Sequence, residues 1–337
     1  MVKSQVNMLC SSMSHMPLLY VWRDSGVTGQ HGFDLNVDIA GVGIEGLPRI
    51  SMNERGPSLL DGTYDFLSGL HIEPYYARAK GDKRFVYLAQ AQNDWDDRII
   101  ATQEVKSAQD LNGKKLIYTA NAPCVFGNLK HSVELGGADL NSIEWVAAAR
   151  GDNWTGNYRR VVEAVARGEA IAAAVDPPFD LQGEKLGLHT LDIPKVPVIH
   201  NATMCANRDW INANEDTAYA FLRSMIDATY FFKTEKQKSC EILERTVAGH
   251  LGIKSADEIE HLWATWADLL SPKPFPHPLA VWNVYNLDVA SNPEVNFISP
   301  FEIWDTSILR EIDDSGYIDE LYGSAQLAAS PAVNIAI

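Results

Sequence analysis

Cysteine is scarce. Cys10, Cys124, Cys205 and Cys240 are the four in 337 residues, and no two share a C-x-x-C spacing. Such scatter encodes neither a disulfide framework nor a cysteine-based zinc site. Positive charge is also short, with 28 Lys and Arg against 44 Asp and Glu for a net charge of −16. That balance excludes nucleic acid, because nothing would neutralise its phosphates, and it disfavours an anionic membrane surface. It leaves small anions open, since one or two local arginines can hold one. Long apolar runs are missing too. The start, MVKSQVNMLCSSMSHMPLLYVW, offers only LLYVW, about five residues against the roughly 7–15 of a secretory leader. No stretch approaches the ~20 apolar residues of a membrane span. The expectation is a cytoplasmic protein with reduced thiols. H-E-x-x-H, G-x-S-x-G and the P-loop are absent as well.

What is present is ordinary globular composition, 46% hydrophobic and 21% charged, in a chain long enough for two lobes. The first hundred residues alternate strand-like and helix-like runs: VNMLCSS, then PLLYVWRDS opened by Pro17, then FDLNVDIA with Phe33, Leu35, Val37 and Ile39 on one face. GPSLLDG reads as a short helix, YDFLSG as a strand, EPYYARAKG as a helix stopped by Gly81, and RFVYLAQAQ as a strand. A second such unit contains KKLIYT, a helix from Val125 to Leu135, IEWVAA, and the strand AIAAAV ended at Asp176-Pro177-Pro178. Residues 212–235, 236–251 and 255–270 carry helical spacing, and a final helix pair follows. The β-α rhythm predicts an α/β fold of mainly parallel sheets flanked by helices. The segments are 1–105 for the first part of lobe 1, 106–200 for lobe 2, and a helical 201–337 that returns to lobe 1.

Gly41 to Gly46, GVGIEG, fits the dinucleotide pattern G-x-G-x-x-G. The residues after it, Leu47-Pro48-Arg49-Ile50-Ser51, read as extended rather than as the helix that fingerprint requires. A glycine-rich loop is the simpler interpretation.

Four passages carry a family resemblance. DGTYDFLSGLHIEPYYARAKGDKRFVYLAQ is similar to a strand, ligand loop and helix of the type II periplasmic-binding-protein fold, in its NMT1/THI5-like branch. VKSAQDLNGKKLIYTANAPCVF resembles the passage entering the second lobe, VVEAVARGEAIAAAVDPPFDLQGEKLG resembles the return segment, and the helices after Ala206 resemble the terminal ones. This resemblance implies two lobes with a ligand cleft between them. Within the branch, YYARAKGDKRFVYLAQAQNDWDDRIIATQEVKSAQDLNGKKL is similar to part of the cytoplasmic 4,5-dihydroxyphthalate decarboxylases. An aryl-sulfinate desulfinase is a further enzymatic relative.

In such folds ligands bind beyond the carboxyl ends of parallel strands. That rule selects the loops Ser11–His15, Asn53–Gly56, Ser68–Glu73 and Asn121–Phe126, with Asp176-Pro177 as a fifth wall. Arg55 can anchor an anion through its guanidinium fork, or pair with Glu54 on the surface. Arg159 and Arg160 open a helix, where one can face the cleft. His71 and Glu73 flank Ile72 on one face, as a general acid with its orienting carboxylate or as a cap for the next helix. His15 is a second acid/base candidate or a satisfied loop histidine. Cys124 sits at a predicted helix start, where the dipole lowers a thiol pKa. Ser12, Ser14, Ser68, Gly69, Asn121, Phe126 and Asp176 complete the expected ligand wall. The acidic run Asp94-Trp95-Asp96-Asp97 can bind a cation, with a solvated turn the simpler reading.

The catalytic assignment is then His71, Glu73 and His15, in a lyase that decarboxylates a small aromatic acid by protonating its ring. The alternative is a solute-binding protein of an ABC importer for a small anionic aromatic, sulfonate or pyrimidine. No cofactor is expected, with a divalent metal left open. The expected partner is a small anionic aromatic molecule, and a homo-oligomer through PHPLAVWNVYNL is left open.

Overall fold

The computed structural model describes residues 4–40, 54–119, 123–148, 154–199 and 201–323, without the side chains of 123–124, 154–157 and 288–291. The Gly41–Gly46 loop, Asn53 and Asn121 lie outside the described residues.

Among the described residues two five-stranded sheets, one per lobe, organise the chain. The first contains β1 (Ser4–Cys10), β2 (Phe33–Ile39), β3 (Phe66–Ser68), β4 (Phe85–Gln90) and β10 (Thr203–Asn207), in the order β2-β1-β3-β10-β4. The second contains β5 (Arg98–Ala101), β6 (Lys115–Tyr118), β7 (Glu144–Ala147), β8 (Ala172–Val175) and β9 (His189–Thr190), in the order β7-β6-β8-β5-β9.

The two-lobed α/β architecture is present, and its sheets are mixed rather than mainly parallel. β1 pairs in parallel with β2 and β3, and β6 with β7 and β8. β10 runs antiparallel to β3 and β4, and β5 antiparallel to β8 and β9. The reversal follows from where the chain changes lobes. β5 opens the second sheet on the way out, β10 re-enters the first on the way back, and each arrives against the local strand direction. The two crossings lie side by side, with Trp95 N–H donating to Val196 O and Val198 N–H to Asn93 O.

Helices cover both faces. α1 (Met16–Asp24) carries Pro17 in its first turn, and α2 (Val27–Gln30) follows it. α3 (Arg55–Leu60) and α4 (Glu73–Ala79) lie on the other face of the first sheet. The second lobe has α5 (Asn128–Leu135), entered through a π-helical turn at Pro123–Gly127, α6 (Trp154–Ala166) and α7 (Phe179–Lys185). The helical run from 208 resolves into α8 (Arg208–Ala213), α9 (Glu215–Thr234), α10 (Lys236–Thr246), α11 (Ala248–Leu251) and α12 (Ala256–Leu269). After α13 (Pro278–Ser291), the pair α14 (Ser307–Asp314) and α15 (Tyr317–Tyr322) ends the described residues.

Strand alternation sorts the first lobe's core. Val6, Met8 and Cys10 of β1 face α1 and α9, where Phe66 and Phe221 stack with centroids 3.6 Å apart. Leu9 and Leu67 face the opposite way, toward Tyr64, Tyr75 and Tyr285. In the second lobe Ile99 and Leu116 pack toward α5, and Ile100 and Ile117 toward α6. The segment PHPLAVWNVYNL forms α13, whose Ala280, Val281 and Val284 join the second lobe's core while Tyr285 joins the first's.

Candidate functional site

At the carboxyl ends of β1 and β3, the backbone draws two loops together. Ser11 N–H donates to Ser68 O at 2.9 Å, and Gly69 N–H reaches Thr203 O at 3.3 Å. Gly69 has φ +93°, and a Cβ there would lie 2.0 Å from Ser11 Oγ and 2.5 Å from His15 Cε1. Only glycine fits a backbone this close to a side chain in that conformation.

His15, 3% exposed, sits in the gap that Gly69 leaves. Its Nδ1 lies 3.0 Å from Ser68 Oγ and 3.4 Å from the Ala202 amide, and its Nε2 lies 3.2 Å from Ser11 Oγ. An amide can only donate, so Nδ1 accepts and the ring proton sits on Nε2, facing Ser11. His71 is also buried, its ring centroid 6.2 Å from that of His15. The structure therefore brings His15, Ser68, Gly69 and His71 together inside lobe 1.

Glu73 is bound elsewhere than expected. Its Oε1 meets Arg55 Nη2 at 2.5 Å, and its Oε2 accepts from the Ile72 amide. The carboxylate expected to orient His71 instead neutralises Arg55. That arginine is no surface residue, since its side chain is 8% exposed and its Nη1 donates to Gly69 O at 3.3 Å.

Ser12 and Ser14 hydroxyls bond to each other at 2.6 Å. Ser14 Oγ donates to Asn201 Oδ1 at 3.3 Å, and Asn201 Nδ2 donates to Asp96 Oδ2 at 3.1 Å. This relay runs from the first loop of lobe 1 to the start of β5 in lobe 2. Beside it lies a narrow space of about 20 Å³ between the lobes. Lobe 1 contributes Met13, Ser14 and Pro17, lobe 2 contributes Asp96, Tyr158, Asp176, Pro177 and Phe179, and the C-terminal helices contribute Leu251, Leu262 and Trp266.

The other expected residues are dispersed. Arg159 Nη2 donates to Gly252 O at 2.6 Å, tying α6 to α11, and Arg160 is exposed. Phe126 stacks on Tyr118 at 4.0 Å and meets Trp145 edge-on at 5.3 Å. Cys124 lies in the π-helical turn rather than at an α-helix start, and its side chain is not among those described. Cys10, at the end of β1, has its thiol pushed up to about 12 by burial, which makes it a packed residue rather than a nucleophile.

Several polar residues at the lobe junction escaped the sequence reading. Asn201 was not singled out, and Asp96 and Asp97, read as a solvated turn, are each 4% exposed. WDDRII sets these acids against the apolar run that forms β5, but RIIA lacks the alternation that marks a strand in sequence. Among the described residues, no group of three or more His, Cys, Asp or Glu is set to hold a metal. No helix among them is long and apolar enough to cross a membrane.

Residues 52–238, just over half of the chain, match the family described as NMT1/THI5 like. The chain belongs to that family. The fold is shared with solved structures of low identity. The periplasmic aliphatic sulphonate binding protein SsuA from Escherichia coli is 15% identical with a TM-score of 0.62, over 91% of this chain and 96% of that one. The nitrate-binding protein NrtA from Synechocystis PCC 6803 is 12% identical with a TM-score of 0.61, over 98% and 93%. The desulfurization enzyme DszB, in complex with biphenyl-2-sulfinic acid, is 12% identical with a TM-score of 0.65, over 93% and 100%. A search of curated protein sequences finds no match. The family match shows the NMT1/THI5-like membership and these neighbours the periplasmic-binding-protein fold, and neither supports the narrower resemblance to decarboxylases.

Proposed function

We propose that this NMT1/THI5-like protein is a solute-binding protein that holds a small polar molecule between its lobes. The observation that carries this reading is the cleft itself, whose wall takes residues from lobe 1, lobe 2 and the C-terminal helices together. A molecule bound there touches all three and favours the state in which they approach, which is how a binding protein couples occupancy to shape. Relatives of the same fold named for sulphonate, nitrate and ABC-type import support it. Expectation of an anionic ligand draws on those names. The described wall adds no Lys or Arg to support it.

A lyase is the second reading, favoured by the Ser11–His15–Ser68 chain at the strand ends and by the fold shared with DszB. Against it, both histidines cast as proton donors are buried in lobe 1, outside the lining of the described cleft. A thermal-shift screen of aromatic acids, sulfonates, pyrimidines and amines, with each hit then assayed for product, decides between the two. A binding protein raises Tm and returns its ligand unchanged. Conversion of a hit, lost in His15→Ala, would replace the receptor reading with the lyase.

A further inference from the structure

The space of about 20 Å³ between the lobes has room for little more than a water molecule, so a larger occupant enters only by separating its walls. Four wall residues stand next in sequence to residues that tie lobe 2 to the C-terminal helices. Tyr158 precedes Arg159, whose Nη2 donates to Gly252 O at 2.6 Å, and Gly252 follows Leu251. Phe179 precedes Asp180, whose Oδ2 lies 2.8 Å from His261 Nε2, and His261 precedes Leu262. Further along α7, Lys185 Nζ lies 3.5 Å from Glu258 Oε1 of α12. Leu251, Ile259, Leu262 and Trp266 pack α11 and α12 onto the first lobe's core, so each of these ties crosses from one lobe to the other.

The His261–Asp180 tie is the one whose charge changes near neutral pH, since arginine and lysine stay charged there and an ordinary glutamate is ionised above about pH 5. Asp180 is 3% exposed and its Oδ1 has no partner, so the bond from His261 is what offsets the burial of its charge. A protonated ring supplies a charge-assisted bond, whereas a neutral ring leaves a buried anion with one neutral donor. Separating α7 from α12 would then return the carboxylate to water. His261 also faces Glu184 of α7 and Arg98 of β5, and its own helix carries Asp257 and Glu258 in the first turn. The Asp180 hydrogen bond outweighs burial and Arg98, and raises the His261 pKa from 6.5. At 34% exposure the side chain exchanges its proton with solvent.

We propose that His261 and Asp180 form a proton-operated clasp beside the cleft, which holds α7 against α12 while the imidazole is charged and lets them part when it is neutral. The sign follows from the pair. Parting returns His261 toward its ordinary 6.5, so in the window above that value opening releases one N–H proton to solvent, and rising pH favours it. The clasp regulates entry to the space that the receptor reading assigns to the ligand, and so rests on that reading. Asp97, raised by burial and by Asp176 and Asp96 beside it, titrates at the same junction, and substitutions at the clasp separate its response from that of His261.

Electron–electron resonance distances between spin labels on the full chain test this without a ligand. Labels at Glu163→Cys of α6 and Gln237→Cys of α10, both exposed, report the lobe separation. Cys124→Ser and Cys240→Ser remove competing thiols, and Cys10 and Cys205 are buried. The ratio of long to short distances is expected to be at least about tenfold greater at pH 8.5 than at pH 5.5. In His261→Gln and in Asp180→Asn that change should fall below about twofold. Melting curves confirm folding, and if Asp180→Asn does not fold, His261→Gln decides. Distances that do not change with pH in the parent overturn the clasp. A tenfold change that survives in the folded variants overturns its assignment to His261 and Asp180. Failure of the receptor reading is registered separately, by turnover in the screen above.

Discussion

Gly69→Ala tests the geometry of the lobe 1 loops directly. The backbone at φ +93° is strained for any residue with a Cβ, which costs about 1–2 kcal/mol. The new methyl would also stand 2.0 Å from Ser11 Oγ, 2.5 Å from His15 Cε1 and 2.7 Å from His15 Nε2. Those atoms cannot simply swing away. His15 is fixed by Ser68, Ser11 and the Ala202 amide, and Ser11 Oγ is held by His15 Nε2 at 3.2 Å on a backbone tied to Ser68. Overpacking at such a site costs about 1–3 kcal/mol. The total expected loss is then about 2–5 kcal/mol by chemical denaturation, with the m-value unchanged. Adding Ser11→Ala removes the closest oxygen and should return about 1 kcal/mol, a coupling that only direct contact produces. A Gly69→Ala protein within about 0.5 kcal/mol of the parent would refute the close approach.

Two further predictions concern the ties around the cleft. His261 of α12 bonds Asp180 of α7 at 2.8 Å. The Asp180 hydrogen bond raises the His261 pKa from 6.5. Its stabilisation is therefore complete below the unfolded value and fades as pH rises through the folded one. Denaturation midpoints of the parent and His261→Gln should differ most near pH 5 and converge by about pH 9; a gap that grows with pH would reverse the assignment. Glu73→Gln leaves the buried Arg55 without its carboxylate. With Glu73 itself 40% exposed, the expected cost is about 1–3 kcal/mol in urea melts, below the value for a fully buried pair. No loss would mean that the Gly69 carbonyl and other contacts suffice for Arg55.

The strands with alternating pattern were legible. Phe33, Leu35, Val37 and Ile39 fall on one buried face of β2 as the spacing predicts. β5 and β10 were not, because RIIA and TMCAN are covered on both faces and carry no period of two. Missing those two strands hid the most charged part of the cleft. The proximity of Asp97 to Asp176, 79 positions apart in the chain (176 − 97), is a matter of strand register, and composition holds no trace of it. Serines and histidines at β1 and β3 were found because strand ends are visible in sequence. Their partners were not, because the pairing of Glu73 with Arg55 depends on where α3 places that arginine.

The position of β10 bears on how the molecule is made. β4 is hydrogen-bonded to β10 and not to β3, so the first sheet stays in two pieces until Thr203–Asn207 is inserted between them. All five strands of the second sheet are in hand by Thr190. On a ribosome, where domains fold as the chain emerges, the later lobe can therefore pair its whole sheet first, while the earlier one waits with two unpaired strand edges exposed. Truncation before Thr203 should leave the second sheet complete but without the α13 residues Ala280, Val281 and Val284 of its core, and the first sheet aggregation-prone, which makes the chain from Thr203 onward a requirement for the first lobe.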